Sequence, residues 1–375
     1  MIEQIPLRLT LFFILYGGTA AVPIVLCLYL LLRKGNAIAA DTTPPMPLRR
    51  WAAALFGVLA LSHVWWLLLY VFSNDIHTKG YVMACIFDCV GMLTTIAGTL
   101  LSMLQDRRRP LWPFIAAMVP IVILGGLQMV WPGTVFKAIF LDYILVVYLL
   151  LTIYMMVAVR QYGRWLNDNY ADLENKKVWL SLVVTLGCLL LFILYIFDVD
   201  NVRIYLLHIV ELLLSGLLLW RVETLPQLEG VEKQQEDSLP VVEPAQEPEL
   251  PAQTSVTLPS NIEQLLAENC ADTRLYLQHD LTLAQLSAVI GVNRYYLSQY
   301  FSVHGMNYNT YINGLRISHF ISRYHEAVAN QESFTAQQLA QESGYRSYST
   351  FSNAFKQRMG QSAKAWMNET AADTP

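Results

Sequence analysis

Residues 281–291 read LTLAQLSAVIG and residues 334–344 read FTAQQLAQESG. The two runs are copies of one pattern. Ser287 stands four before Gly291, and Ala340 stands four before Gly344. Further on, Leu297 and Phe301 are matched by Phe351 and Phe355, and Gly305 with Tyr311 by Gly360 with Trp366. The offset between copies is 53 to 55 residues throughout. Each copy reads helix, tight turn, helix. Thr282 and Thr335 are N-cap candidates, because a hydroxyl can accept from the first free amides of a helix. The small residue before each glycine lets two helices cross closely, and the glycine serves the turn, which is the physical requirement of a helix-turn-helix. The second helices are expected near 293–304 and 347–358, with Leu297, Phe301, Phe351 and Phe355 turned inward and a polar face outward.

The stretches NRYYLSQYF (293–301), YINGLRISHF (311–320) and SYSTFSNAFKQRMGQSAKAWM (347–367) resemble the DNA-binding domain of the AraC/XylS family of transcription regulators. The resemblance covers about 90 to 100 residues and rests on two helix-turn-helix units at this spacing. It implies a seven-helix domain over 261–370, with two recognition helices entering successive major-groove segments of double-stranded DNA. By motif position it implies that Asn293, Arg294, Tyr295, Ser298 and Gln299 form the outward face of the first recognition helix. Arg346, Tyr348, Ser349, Asn353 and Lys356 would form that of the second. A central helix near 307–325 would hold the units in register, with Arg316 at the family's usual arginine. The chain departs from the family at Ala363 (commonly proline), at Phe320 (commonly a small alanine) and at Gln299 and Asn353 (commonly arginine). Amide side chains pair well with adenine N6 and N7, so the last departure favours adenine reading. The net charge over 281–368 is +4, enough to neutralise a few phosphates but modest, so tight binding is expected to need a homodimer.

Upstream of this domain the composition changes. Residues 222–260 hold six prolines, and residues 222–258 carry a net charge of -7. Such a segment has little to bury and is expected to be a disordered linker, with a reach of roughly 35 Å or more. It could alternatively hold a protease site that frees the C-terminal domain.

The N-terminal 221 residues are a different material. A membrane-spanning helix needs about 20 mostly apolar residues. Seven stretches qualify: 9–32, 51–72, 81–104, 111–130, 135–159, 178–197 and 202–220. Pro113 and Pro120 predict a break in the fourth. The first lacks the basic flank of a cleaved signal peptide and is too long for one. One set of loops carries twelve lysines and arginines and the opposite set four. The positive-inside rule then places the N-terminus outside and the C-terminus in the cytoplasm of a bacterial cell. Trp51, Trp112, Trp131, Trp179 and Trp220 stand at span ends, where interfacial anchors are expected. The fold class is therefore all-α: a seven-helix transmembrane bundle followed by a seven-helix domain with two helix-turn-helix units.

Five ionisable residues fall inside the expected spans: His63, Asp88, Asp142, His208 and Glu211. Intramembrane charge is costly and commonly functional. At about 1.5 Å per residue, each lies roughly 9–14 Å from the outer end of its helix. They are candidates to line a site for a small-molecule or ion signal; hydrogen bonds that merely hold the bundle are the alternative. Cys85, Asp88 and Cys89 with His63 and His208 meet no established ligand spacing, so no metal is expected. The five cysteines form no disulfide framework, and no cofactor is indicated. A retinal protein is excluded, since 178–220 contains no lysine for a Schiff base.

These features lead to a one-component regulator, not an enzyme: a membrane bundle that senses and a cytoplasmic domain that reads DNA. A transporter, channel or membrane enzyme with a secondary DNA-binding tail is the alternative, and a passive membrane tether is a third reading. No nucleophile elbow, phosphate loop or zinc-protease motif is present.

Overall fold

A computed structural model describes residues 7–33, 35–40, 42–72, 79–131, 134–173, 176, 261–372, and 178–228 apart from 181, 185, 188–190 and 192–200. Among these residues there is no strand, and fourteen α-helices carry the chain. It divides into two units. One joins residues up to Tyr162 with Val178–Ser238; the other joins Gly163–Lys177 with Leu239–Pro375.

The first unit is built from α1 (Leu7–Leu32), α2 (Met46–Phe72), α3 (Lys79–Ser102), α4 (Trp112–Ala116), α5 (Val119–Val130), most of α6 (Thr134–Asn169) and α7 (Asn201–Thr224). Among the described residues, six helical stretches are long and apolar enough to cross a membrane. The expected span at 178–197 lies largely outside the described residues. Pro113 and Pro120 each sit in the first turn of a helix, and the expected break falls between α4 and α5. Proline is tolerated there because a first-turn N–H has no intrahelical partner to lose.

α2 packs against both α1 and α3, α1 against α7, and α3 against α5. Gly98 lets α3 approach α2 closely: a Cβ there would lie 2.4 Å from the Trp51 indole. Trp51 is thus a packing residue, whereas Trp112, Trp131, Trp179 and Trp220 face outward. A second contact region joins Leu93 of α3, the α5 cap Met118, Ile121 of α5, and Phe140, Ile144 and Tyr148 of α6. The outward faces carry Leu31, Val71, Ile123, Leu150 and Leu213, all exposed. Exposed apolar surface on this scale marks a face for protein or membrane contact.

Residues 222–228, read from sequence as the start of the linker, belong instead to this unit. Val222 and Leu225 are fully buried. Glu223 is buried against Arg49 at 3.7 Å, and its carboxylate also accepts from the Ala37 and Ile38 amides. Arg49 donates to the Leu30 and Arg33 carbonyls and to Asn36. A carboxylate with a guanidinium and two amides is compensated for burial, which the composition of the stretch did not reveal. The remainder of the expected linker, 229–260, lies outside the described residues.

The second unit contains seven α-helices in 261–372: α8 (Ile262–Leu266), α9 (Leu283–Ile290), α10 (Arg294–Val303), α11 (Tyr308–Ala329), α12 (Ala336–Glu342), α13 (Tyr348–Met359) and α14 (Ala363–Ala372). Its apolar residues form two cores. One gathers Leu286, Leu297, Phe301, Tyr308 and Ile312 around the first helix-turn-helix. The other gathers Phe320, Tyr324, Leu339, Tyr345, Phe351 and Phe355 around the second. α11 contributes to both.

Candidate nucleic-acid interface

The two helix-turn-helix units are built by the same local chemistry. Thr282 accepts from the Gln285 amide while Gln285 returns a bond to the Thr282 amide; Thr335 and Gln338 do the same. Such reciprocal capping boxes satisfy two otherwise free donors at each helix start. The turns follow at Gly291, with φ of 69°, and Gly344, with φ of 87°. A Cβ at Gly344 would also lie 2.8 Å from the Leu277 backbone. Ala340 is buried at the crossing, as expected. Ser287 adds a contact the sequence did not announce, donating across the turn to the Val292 carbonyl at 2.7 Å.

The recognition helices α10 and α13 begin at side-chain caps. Asn293 accepts from the Tyr295 amide at 2.8 Å, and Ser347 from the Thr350 amide at 3.2 Å. Asn293, placed by motif on the outward face, is therefore also the cap of its helix. Leu297, Phe301, Phe351 and Phe355 turn inward and are buried. Arg316 is buried in the middle of α11. Its Nε donates to the Tyr276 carbonyl at 2.7 Å, its Nη2 to the Gln278 carbonyl at 2.7 Å, and its guanidinium lies over the Tyr345 ring. One side chain thereby ties α11 to the segment before the first unit and to the turn of the second.

The outward faces of the two recognition helices differ. On α13, Arg346, just before the helix, and Tyr348, Ser349, Asn353 and Lys356 are all exposed. Arg346 keeps only a loose approach to Asp280 at 3.6 Å, with both side chains largely exposed. On α10, Asn293 and Tyr295 are exposed, but Arg294, Ser298 and Gln299 are half-buried.

What covers them is the end of α6 and the segment that follows. Asn169 accepts a hydrogen bond from the Arg294 guanidinium. Asp168 shares a cleft with Ser298, Gln299, Ser302 and Asn307. Tyr170 forms an isolated antiparallel bridge with Thr282. Asn309 donates to the Tyr170 carbonyl at 3.1 Å and to the Ala171 carbonyl at 2.7 Å. Asn313 adds a bond to Ala171 at 3.4 Å. Ala171 itself is buried in the first core. Burial pulls the Arg294 guanidinium below its ordinary value, with the neighbouring Tyr170 opposing the shift. The run RWLNDNYADL (164–173) carried a signal in sequence that went unread: Asn and Asp crowd the stretch directly beyond an apolar helix.

Of the five ionisable residues expected in the spans, the structure brings three together. Ligand atoms of His63, His208 and Glu211 lie within 4.8 Å of one another. Asp88 and Asp142 are not part of this group. Asp88 accepts from the Trp66 indole at 2.5 Å, and Asp142 is exposed on α6. Burial pushes the Cys270 thiol up to about 11, which makes it an inert core residue.

Residues 286–369 match the family model of a helix-turn-helix domain, of the AraC type. No curated protein and no solved structure matches the chain. The C-terminal domain is thus a DNA-binding domain of the kind that transcription regulators carry.

Proposed function

We propose that the chain is a one-component transcription regulator embedded in the bacterial cytoplasmic membrane. Its bundle senses a signal, and its C-terminal domain reads a specific DNA sequence in the cytoplasm, as part of a homodimer. No chemical transformation belongs to this role. Membrane embedding is supported by the six apolar helices and their exposed apolar faces. A cytoplasmic position for the reader is supported by the loop charge bias and by where DNA is found.

The observation that carries the sensing is the occupied first recognition helix. α6 begins within the apolar bundle, and its last turns, with the residues to Ala171, pack on α9, α10 and α11. A signal thereby has a covalent route from the bundle to the reader along α6. In this state Arg294, Ser298 and Gln299 face protein. Entry of α10 into a major groove requires that segment to leave. A ligand that favours the departed state would raise DNA affinity by as much as it discriminates between the two states.

The test is the DNA affinity of the full-length protein in detergent, on an operator selected from a random-sequence pool. Asn169→Ala removes one hydrogen bond of the closed state, on the order of 0.5–1.5 kcal/mol. It should tighten DNA binding roughly two- to tenfold. Unchanged or weaker binding would exclude the docked segment as a restraint.

A further inference from the structure

The side chains at His63, His208 and Glu211 present three electron-pair donors to one another. His63 Nδ1 lies 2.9 Å from the Leu59 carbonyl. A carbonyl only accepts, so Nδ1 carries the proton, and Nε2 is left with its lone pair. That Nε2 stands 3.6 Å from Glu211 Oε1, a buried oxygen that no hydrogen-bond donor among the described residues reaches. His208 repeats the arrangement. Its Nδ1 lies 3.2 Å from the Thr19 hydroxyl, whose own proton is directed at the Leu15 and Tyr16 carbonyls at 3.1 and 3.0 Å. Thr19 therefore accepts from His208, which leaves the lone pair on the His208 Nε2.

Two imidazole lone pairs and an uncompensated carboxylate oxygen repel one another unless a cation lies between them. We propose that His63, His208 and Glu211 bind one divalent transition-metal ion, Zn2+ by ligand chemistry. Two histidines and one glutamate are an established zinc ligand set with an open fourth position. Ligand bonds of about 2.0–2.2 Å in tetrahedral geometry place donor atoms roughly 3.3 Å apart; the His63–Glu211 pair stands at 3.6 Å, and all three donors lie within 4.8 Å of one another. The Nδ1 contacts to Leu59 and Thr19 are the outer-shell bonds that metal-bound histidines characteristically keep. The ligands come from α2 and α7, and α1 supplies Thr19 and Tyr16. Tyr16 donates to the His63 carbonyl at 2.6 Å and packs edge-on against both imidazoles. Sequence spacing could not reveal this set, because His63 and His208 lie 145 positions apart. Occupancy would join three helices of the bundle and is suited to be the sensed event. That role as signal rests on the regulatory reading above; the site itself does not.

The test uses full-length protein without a polyhistidine tag, purified in detergent, stripped with a chelator, and titrated with Co2+ and with Zn2+. One ion per chain is expected, with the visible absorption bands of low-coordinate cobalt. His208→Ala and Glu211→Gln should each weaken binding at least about tenfold, and Thr19→Ala by about tenfold through loss of the outer-shell acceptor. Asp88→Asn and Asp142→Asn should leave it unchanged. The wild-type stoichiometry is independent of whether any variant folds. Absence of stoichiometric binding, as when a proton alone bridges His63 and Glu211, would overturn the proposal even if the chain occupies DNA normally. So would binding that His208→Ala and Glu211→Gln leave intact. A bound ion to which a reporter gene is indifferent would overturn the signalling role.

Discussion

Phe320 shows how a single residue departs from the pattern that its domain resembles and still makes sense. It is fully buried, with its ring 4.5 Å from that of Phe351 and 5.6 Å from that of Phe355. An alanine common at this position elsewhere would leave a void here. Phe320→Ala should cost about 3–5 kcal/mol of domain stability, measured by denaturant unfolding of the purified protein. A loss below about 1 kcal/mol would mean the core closes over the gap. Asn353 is the other informative position. It is exposed on α13, in reach of a base edge, and an amide there reads adenine. Asn353→Ala should relax selection at one operator position by about 1–3 kcal/mol, seen when binding is compared across single-base operator variants. The caps Thr282 and Thr335 were legible in sequence, because capping is local. Arg294 was legible as an outward residue but not as an engaged one, because Asn169 lies 125 positions away.

Elements are where the two halves of the reader diverge. α10 and α13 each begin at a side-chain cap, turn an apolar pair inward and follow a glycine turn, yet one is covered and the other open. A recognition helix with exposed Lys356 contributes to phosphate neutralisation; Lys356→Ala should weaken binding about equally on all sequences and lower the slope of log affinity against log salt by about one. A loss confined to one sequence would instead place Lys356 at a base. Gly344 is the element boundary that tolerates least. Its φ of 87° and the 2.8 Å approach of the Leu277 backbone mean that Gly344→Ala should destabilise the domain by about 1–3 kcal/mol, whereas no neighbour crowds Gly291. The break between α4 and α5 was readable from two prolines. The end of α6 was not: hydropathy ended the span at 159, but the helix continues to Asn169. Hydropathy reports where a chain prefers lipid, and helical hydrogen bonding is indifferent to that limit.

The whole molecule joins an apolar bundle to a DNA reader through two connections, the acidic segment after α7 and the docked segment after α6. Overall organisation was readable because composition changes abruptly near Arg221, and the repeat of 53 to 55 residues is long enough to stand alone. The second connection was hidden because it depends on tertiary contacts of Tyr170, Ala171 and Asn309. A reporter fused after Leu228 should be active only as a cytoplasmic reporter; activity as an external one would reverse the orientation. The proposed regulator reads specific DNA from the membrane. Its most direct test is chromatin occupancy of the full-length tagged protein in its own cells, with membrane residence verified in the same sample and Asn169→Ala run beside the wild type. Sharp peaks over a shared two-part motif are expected, stronger in the variant. Diffuse enrichment in both proteins, with both confirmed in the membrane, would contradict it.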